Sequence, residues 1–292
     1  MNVDHVLLTR FNLPTGGVEA RIRASETWLT NRWALFQQYC APSVAAQTTA
    51  DFDWVIYFDP ESPDWLKRAI EPYTEEGLFT AIFRAEVPRE VLVSDLRGIV
   101  RHGDGMLLTT NVDNDDGLAV DFMQRLQDAV TFDDQRALYI TDGLIKSDAA
   151  VYLRRDPSNA FCSVAEPWED PRTCWDDWHI MLGRSMPVVE ITGTPGWLQV
   201  IHGENVSNRV RGRLVSPVGW RSSFPALLDD VNTPPAGRIT RDRVLVAPAR
   251  RLRDAARSTM RRAALAVLGK DGMLALKARL RPERSGSAAG RG

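Results

Sequence analysis

Cysteine is scarce in this chain: Cys40, Cys162 and Cys174 are the three present in 292 residues. Their number is odd and no pair has metal-type spacing. Neither a disulfide framework nor a structural zinc site is therefore the expected organising device, and reduced thiols in the cytoplasm are the simplest reading. Long apolar runs are lacking too. Stretches such as Val55–Phe58 and Met106–Leu108 are strand-sized, far short of the ~20 residues that span a bilayer. The opening MNVDHVLLTR has no basic segment followed by an apolar one, so no secretory leader is expected. No internal repeat is visible.

What is present is an ordinary globular composition, with 44% hydrophobic, 25% charged and 8% aromatic residues. That much apolar material excludes disorder throughout. The length allows two domains or one larger α/β domain. The net charge of −2 hides an asymmetry. Residues 241–292 hold 14 Lys+Arg against 4 Asp+Glu, which leaves residues 1–240 with a balance of −12. We therefore expect an acidic body at 1–240, a basic helical tail at 241–284 and a disordered end at 285–292. The tail suggests an anionic partner, or a solvated helix packed on the body.

Along the body, strand and helix patterns alternate. Strands are predicted at His5–Thr9, Phe52–Phe58, Phe79–Phe83, Gly105–Asn111 and Phe161–Ala165. Ala137–Thr141 and Ala149–Arg154 read as the two strands of a hairpin. Helices are predicted at Ala24–Tyr39, with Ser25 as N-cap and Pro42 ending it, and at Pro63–Tyr73, Glu90–Val100 and Leu118–Ala129. Such alternation implies βαβ units and a mostly parallel sheet. Glu166–Pro235, rich in Trp, Pro and Gly, reads as a loop-rich extension that carries binding residues. Arg250–Leu268 is helical in composition.

The sharpest local feature is Asn111-Val-Asp113-Asn114-Asp115-Asp116-Gly117, between a strand and a helix. Three carboxylates in four residues repel one another unless a cation offsets them. Mg²⁺ and Mn²⁺ prefer carboxylate and water oxygens, and Asp113 and Asp115 can face one ion or a metal-bound diphosphate. A structural loop is the competing reading; Asp116 is expected as N-cap of the next helix in either case, which leaves Asp113 and Asp115 to be explained. An EF-hand fails, since Leu118 stands where its glycine belongs and Gln124 where its glutamate belongs. A phosphatase with an acidic nucleophile stays open.

The phrases DHVLLTRFNLP at Asp4–Pro14, the run from Trp28 to Asp59, TNVDNDDGL at Thr110–Leu118 and WLQVIHGENVSN at Trp197–Asn208 carry a resemblance. Together they resemble the bacterial family of rhamnosyltransferases, which have the GT-A type of glycosyltransferase fold. The resemblance spans roughly the first 210 residues. It implies an α/β, Rossmann-like mixed sheet flanked by helices, a nucleotide-sugar donor, a divalent ion (Mn²⁺ or Mg²⁺) and inverting transfer. The acceptor it implies is a glycan or a lipid-linked glycan in polysaccharide biosynthesis.

Carried over, Asp113 and Asp115 would hold the metal against the donor diphosphate, and His202 would complete the metal shell. The competing reading of His202 is a hydrogen-bonded loop residue. Arg10 and Asn12, at the end of the first strand, would lie by the donor, the arginine fork suiting phosphate oxygens. Asp59 ends a strand on the same edge and would contact ribose or base, or else cap the Pro60 turn. In open α/β sheets ligands bind beyond the carboxyl ends of strands. For the catalytic base the candidates are Asp177 first and Asp176 second, in a WDDWH segment expected to open a helix, with Glu166 a further candidate. Favourable charge at a helix N-terminus is the plainer account of such acids. One or two of Trp168, Trp175, Trp178 and Trp197 are expected at the acceptor.

A Mg²⁺-dependent phosphohydrolase or nucleotidyltransferase, and a non-catalytic binder with a basic tail, are the alternatives. No nucleic-acid partner is expected. The protein is expected in the cytoplasm, with the tail's arginines, beside the apolar stripe Leu252, Ala256, Met260, Ala264 and Leu268, contacting the anionic inner membrane face.

Overall fold

The computed structural model describes residues 2–14, 26–202, 209–250, 252–253 and 255. Seven strands form the main sheet: β1 (Val3–Arg10), β2 (Asp53–Phe58), β3 (Thr80–Phe83), β4 (Met106–Asn111), β6 (Arg136–Ile140), β9 (Ser163–Pro167) and β10 (Val188–Ile191). Their order is β10-β6-β9-β4-β1-β2-β3. The β4-β1-β2-β3 half is parallel, and β9 runs antiparallel between β4 and β6. This is the mixed, mostly parallel α/β sheet expected from the sequence. Its strands read as continuous apolar runs because both faces are covered.

Alternation along β1 sorts the two cores. Leu7 joins Trp54, Ile56 and Leu108 on one face, whereas Val6 and Leu8 join Val55, Tyr57 and Leu107 on the other. The first face is covered by three helices: α1 (Glu26–Leu35), α3 (Asp64–Glu75) and α5 (Phe122–Ala129), through Trp33, Leu66, Ile70 and Phe122. The second is covered by α4 (Arg89–Arg97), through Leu92 and Leu96.

A second sheet, ordered β12-β8-β7-β11-β5, adjoins the carboxyl end of β4. It comprises β5 (Gly117–Leu118), β7 (Asp142–Ser147), β8 (Ala150–Arg155), β11 (Trp197–Ile201) and β12 (Arg213–Val215). Here the expected hairpin is corrected. The residues at 137–141 belong to the main sheet, and the hairpin partner of β8 is β7. Gly143 and Lys146 disguise β7 in the sequence. Gly143 leaves room for the Trp197 indole, which an added Cβ would meet at 2.0 Å. Lys146, 3% exposed, is neutralised by Asp230 and bonded to the Tyr39 hydroxyl at 2.8 Å.

Two helix boundaries also differ. Pro42 does not stop the first helix; the chain widens into a π-helical turn at Phe36–Cys40 and continues as α2 (Ala41–Ala45). Pro42 then falls in the first turn of the resumed helix, where its missing N–H costs little. The predicted helix from Leu118 starts only at Phe122, because Leu118 pairs with Trp197 in β5. Ser25 lies outside the described residues. In the tail, α6 (Ala236–Arg241) leads into a π-helical turn at Asp242–Val246, so the 240/241 boundary falls inside one helical segment. Asp242 ties that segment to the body, accepting from Leu214 N at 2.7 Å and pairing with Arg250. Ala256–Gly292, including most of the apolar stripe and the 285–292 end, lies outside the described residues. Among the described residues no helix is long and apolar enough to cross a membrane.

One buried histidine sets an acid limit on this fold. His5 Nε2 lies 2.9 Å from Thr110 Oγ1, which lies 2.8 Å from Ser163 Oγ. Gln127 Nε2 approaches His5 Nδ1 at 3.3 Å and donates to Asp51 O at 2.7 Å. The network therefore assigns the ring proton to Nε2. Burial lowers the His5 pKa to about 3. The unfolded chain, with a histidine pKa of about 6.5, binds this proton first. Stability from neutral His5 is thus complete above the unfolded pKa and is lost as pH falls toward the folded one. We predict a loss of about 1.4 kcal/mol per pH unit across that window. Urea titrations between neutral and acid pH should give a steeper stability slope for the parent than for His5→Gln; parallel slopes would refute the assignment.

Candidate functional site

β1, β2 and β4 are adjacent and parallel, so their carboxyl ends point the same way. Arg10 ends β1, Asp59 follows β2, and Asn111 ends β4 with the acidic residues directly beyond it. The expected convergence at a sheet edge is therefore present.

Within that edge the candidates differ in what they touch. Arg10 is exposed, and its guanidinium carbon lies 4.0 Å over the Trp175 ring centroid. Trp175 Nε1 donates to Asn111 Oδ1 at 2.8 Å, and Asn111 Nδ2 reaches Ala160 O at 2.9 Å and Asp113 Oδ1 at 3.4 Å. Asn12 is buried and faces inward. It accepts from Asp59 N at 3.0 Å and donates to Ser62 Oγ at 3.0 Å, stitching the ends of β1 and β2. Asp59 Oδ1 accepts from Glu61 N at 2.8 Å, as the cap of the turn at Pro60 would.

The three carboxylates after β4 occupy three different environments. Asp113 is exposed in area but hemmed by protein; lost hydration and the Asp115 charge push its carboxyl up. Asp116 is 1% exposed. It caps no helix, since α5 begins beyond Asp121, and instead accepts from Val200 N in β11 at 2.8 Å. Burial, then the charges of Asp115 and Asp113, push its pKa well above the usual carboxylate range. Asp115 is also buried. Burial alone would raise its pKa, but the His202 hydrogen bond and the Arg32 charge outweigh this and hold it below the ordinary value.

Asp115 Oδ2 is the junction of the site. His202 Nε2 stands 2.9 Å from it, and Arg32 Nη1 pairs with the same oxygen. Arg32 also donates to Asn114 Oδ1 at 3.2 Å, and its guanidinium carbon lies 5.2 Å from the Trp28 ring centroid. The sequence reading of Asp115 with His202 thus meets in space, whereas Asp113 turns toward Asn111. Among the described residues no group of three or more His, Cys, Asp or Glu is arranged to hold a metal ion. The 2.9 Å between Asp115 and His202 is an ordinary hydrogen bond; what the pair offers a divalent ion is its donor chemistry, one carboxylate and one imidazole. Arg32 was missed in the sequence. The signal available was the need for a countercharge near three clustered acids.

The segment holding the base candidates opens no helix; Cys174–His179 is a series of turns. The N-terminal charge account therefore has no helix to act on. Asp176 pairs with Arg172 at 3.0 Å. Asp177 Oδ1 accepts from Trp178 N at 2.6 Å. Glu166 is excluded from the solvent-facing site: 1% exposed, it accepts from Thr173 N at 2.6 Å and from Gln135 Nε2 at 2.5 Å. Trp168 and Trp197 are core residues, donating to Asp4 at 2.8 Å and to Ile140 O at 2.9 Å. Trp175 and Trp178 remain partly open at this edge.

Glu166 anchors the turn at Thr173, whose φ of 68° is left-handed. Glu166→Ala leaves the Thr173 N–H buried without an acceptor. We predict a loss of about 1–3 kcal/mol and faster amide exchange through Thr173–Trp178. Glu166→Gln keeps an acceptor, with Gln135 reversing its amide, and should restore both stability and exchange protection. Equal damage from both substitutions would show that the charge, and not the acceptor, matters.

No curated protein matches the chain. Among solved structures, residues 1–349 of S. aureus TarS match with 10% identity and a TM-score of 0.38, over 68% of this chain and 60% of that one. GalNAc-T7, solved with UDP, GalNAc and Mn²⁺, matches with 10% identity and a TM-score of 0.41, over 71% of this chain and 45% of that one. The chain thus spans less than two thirds of either. The family model described as "Putative rhamnosyl transferase" matches residues 4–214, from near the start of β1 through the acidic segment and His202 into β12. The chain belongs to that family.

Proposed function

We propose that this protein is a glycosyltransferase that moves a sugar, rhamnose by the family's name, from a nucleotide-sugar donor to a glycan or lipid-linked acceptor. The observation that carries the reading is the Asp115–His202 pair at 2.9 Å, set beyond β4 and beside the β1 end that presents Arg10. Asp115 and His202, with Asp113 near by, would hold a divalent ion, Mn²⁺ or Mg²⁺. Such an ion supplies charge stabilisation to a departing diphosphate. Arg10 offers that diphosphate a fork of donors, preset by its stacking on Trp175.

Transfer with inversion needs a carboxylate that is not a metal ligand. Asp177 takes that role, with Asp176 second. As the acceptor hydroxyl forms its bond to the anomeric carbon and the bond to the diphosphate breaks, the hydroxyl proton passes to the Asp177 carboxylate. Support comes from its turn: Trp175, two residues earlier, packs against Arg10 and Asn111 and so brings the turn to this edge. Asn12 and Asp59 shape the donor side by holding the ends of β1 and β2 together. Placement at the inner membrane face through the basic tail completes the reading. The exposed Leu245 and Leu252, beside Arg241 and Arg253, are where its described part would meet lipid.

A thermal-shift panel of nucleoside diphosphates and nucleotide sugars, with and without Mn²⁺, tests the donor site. A ligand at ~100 times its dissociation constant raises stability by ~2.7 kcal/mol. We predict a Mn²⁺-dependent shift in the parent that Asp115→Asn removes; a shift that survives Asp115→Asn would detach the ion from this residue. Asp177→Asn should lower turnover by ~10²–10⁴-fold with donor affinity unchanged. A normal rate there, with Asp176→Asn inactive, would move the base by one residue.

A further inference from the structure

Arg32 belongs to no part of the reaction as described so far, yet it occupies the centre of the acidic cluster. It projects from α1, whose buried side packs into the core through Trp28, Leu29 and Trp33. Its side chain is 15% exposed, and that of its partner Asp115 is 7% exposed. One Nη serves both Asp115 Oδ2 and Asn114 Oδ1, and Trp28 lies beside the guanidinium. Its Nε is buried and has no hydrogen-bond partner among the described residues. A buried N–H of this kind is costly unless something accepts from it. The site therefore contains a fixed monovalent cation with donor capacity to spare.

That cation changes what the cluster can accept. Arg32 shares Asp115 Oδ2 with His202, so a divalent ion bound to Asp115 sits next to a permanent positive charge. An ion arriving alone meets this repulsion in a place where water screens poorly. An ion arriving with a diphosphate would meet less of it, because the negative phosphate oxygens would offset both positive charges and could accept from the guanidinium. We propose that Arg32 is a specificity-determining residue, which makes the acidic cluster bind a divalent ion together with a nucleoside diphosphate and not by itself. The inference rests on the donor-site reading above and adds the coupling to it. Coupling of this kind is reciprocal, so the ion raises diphosphate affinity by the same factor.

The experiment follows the electron paramagnetic resonance signal of free Mn²⁺ during titration of the full chain. UDP, dTDP and GDP are each added in turn. In the parent, Mn²⁺ alone should bind weakly, and the best of the three diphosphates should raise its affinity by about tenfold or more. Arg32→Gln should bind Mn²⁺ alone about tenfold more tightly and lose most of the diphosphate effect. Arg32→Lys keeps the charge and should restore the weak binding of Mn²⁺ alone. The proposal is overturned if Arg32→Gln leaves Mn²⁺ affinity unchanged or weaker. Parent protein that binds Mn²⁺ equally well with and without every diphosphate overturns it too, and that result needs no variant. If Mn²⁺ binds and Asp115→Asn abolishes it while Arg32→Gln changes nothing, the coupling alone falls. If no Mn²⁺ binds under any condition, the ion reading falls with it.

Discussion

Three carboxylates crowded beyond the end of one strand can coexist in a folded protein only if their charges are managed separately. That constraint organises the edge of the main sheet beyond β4. Asp113 stays at the surface, Asp115 is paired with a guanidinium and an imidazole, and Asp116 is pressed toward its neutral form while accepting a backbone hydrogen bond. Each solution recruits a different element. Arg32 brings α1 to the cluster, His202 follows the end of β11, and Val200 binds Asp116 from within β11. The acidic segment is thus the joint between the two sheets as well as the candidate site. The same crowding of charge also fixes the relative positions of the main sheet and its smaller companion.

Neutral donors supply the rest of the support. Asn12 holds Asp59 and Ser62 in the turn after β2, and Asn111 holds Ala160 and Trp175 from two separate loops; neither needs to carry charge to do so. Their amides act as rigid spacers between strand ends. The turn at 173–178 gains its order in the same manner, from Glu166 below and from Trp175 lying between Arg10 and Asn111. A buried side chain that accepts hydrogen bonds and a stacked indole thus hold a segment that has no regular secondary structure of its own.

Much of this was legible in the sequence where local pattern and tertiary role agree. The apolar runs at 5–9, 52–58 and 105–111 are buried on both faces, and their composition says so. β7 was not legible, because Gly143 exists to admit Trp197 and Lys146 is buried only by virtue of Asp230 and Tyr39. Neither reason lies near β7 in the chain. Leu118 satisfied a helical period with Phe122 and Leu126, yet it pairs as a strand; burial alone does not distinguish the two. At the site, the acidic segment and His202 stood out by residue type and phrase. Asp116 as a helix cap did not survive, since capping is a local inference and its acceptor role is satisfied by distant Val200. Arg32 was invisible because an arginine in an aromatic helix has no meaning until the acid it faces is known.

The sharing of Asp115 between Arg32 and His202 has a temporal consequence. One partner precedes the acid by most of the parallel half of the main sheet, and the other follows it by most of the second sheet. Contacts of such long sequence separation form late, after the loops between them have lost their freedom. Because Arg32 and His202 flank the acid from opposite sides of the chain, the three-way junction at Asp115 closes only once both flanking stretches have emerged, as folding of the domain as a unit requires.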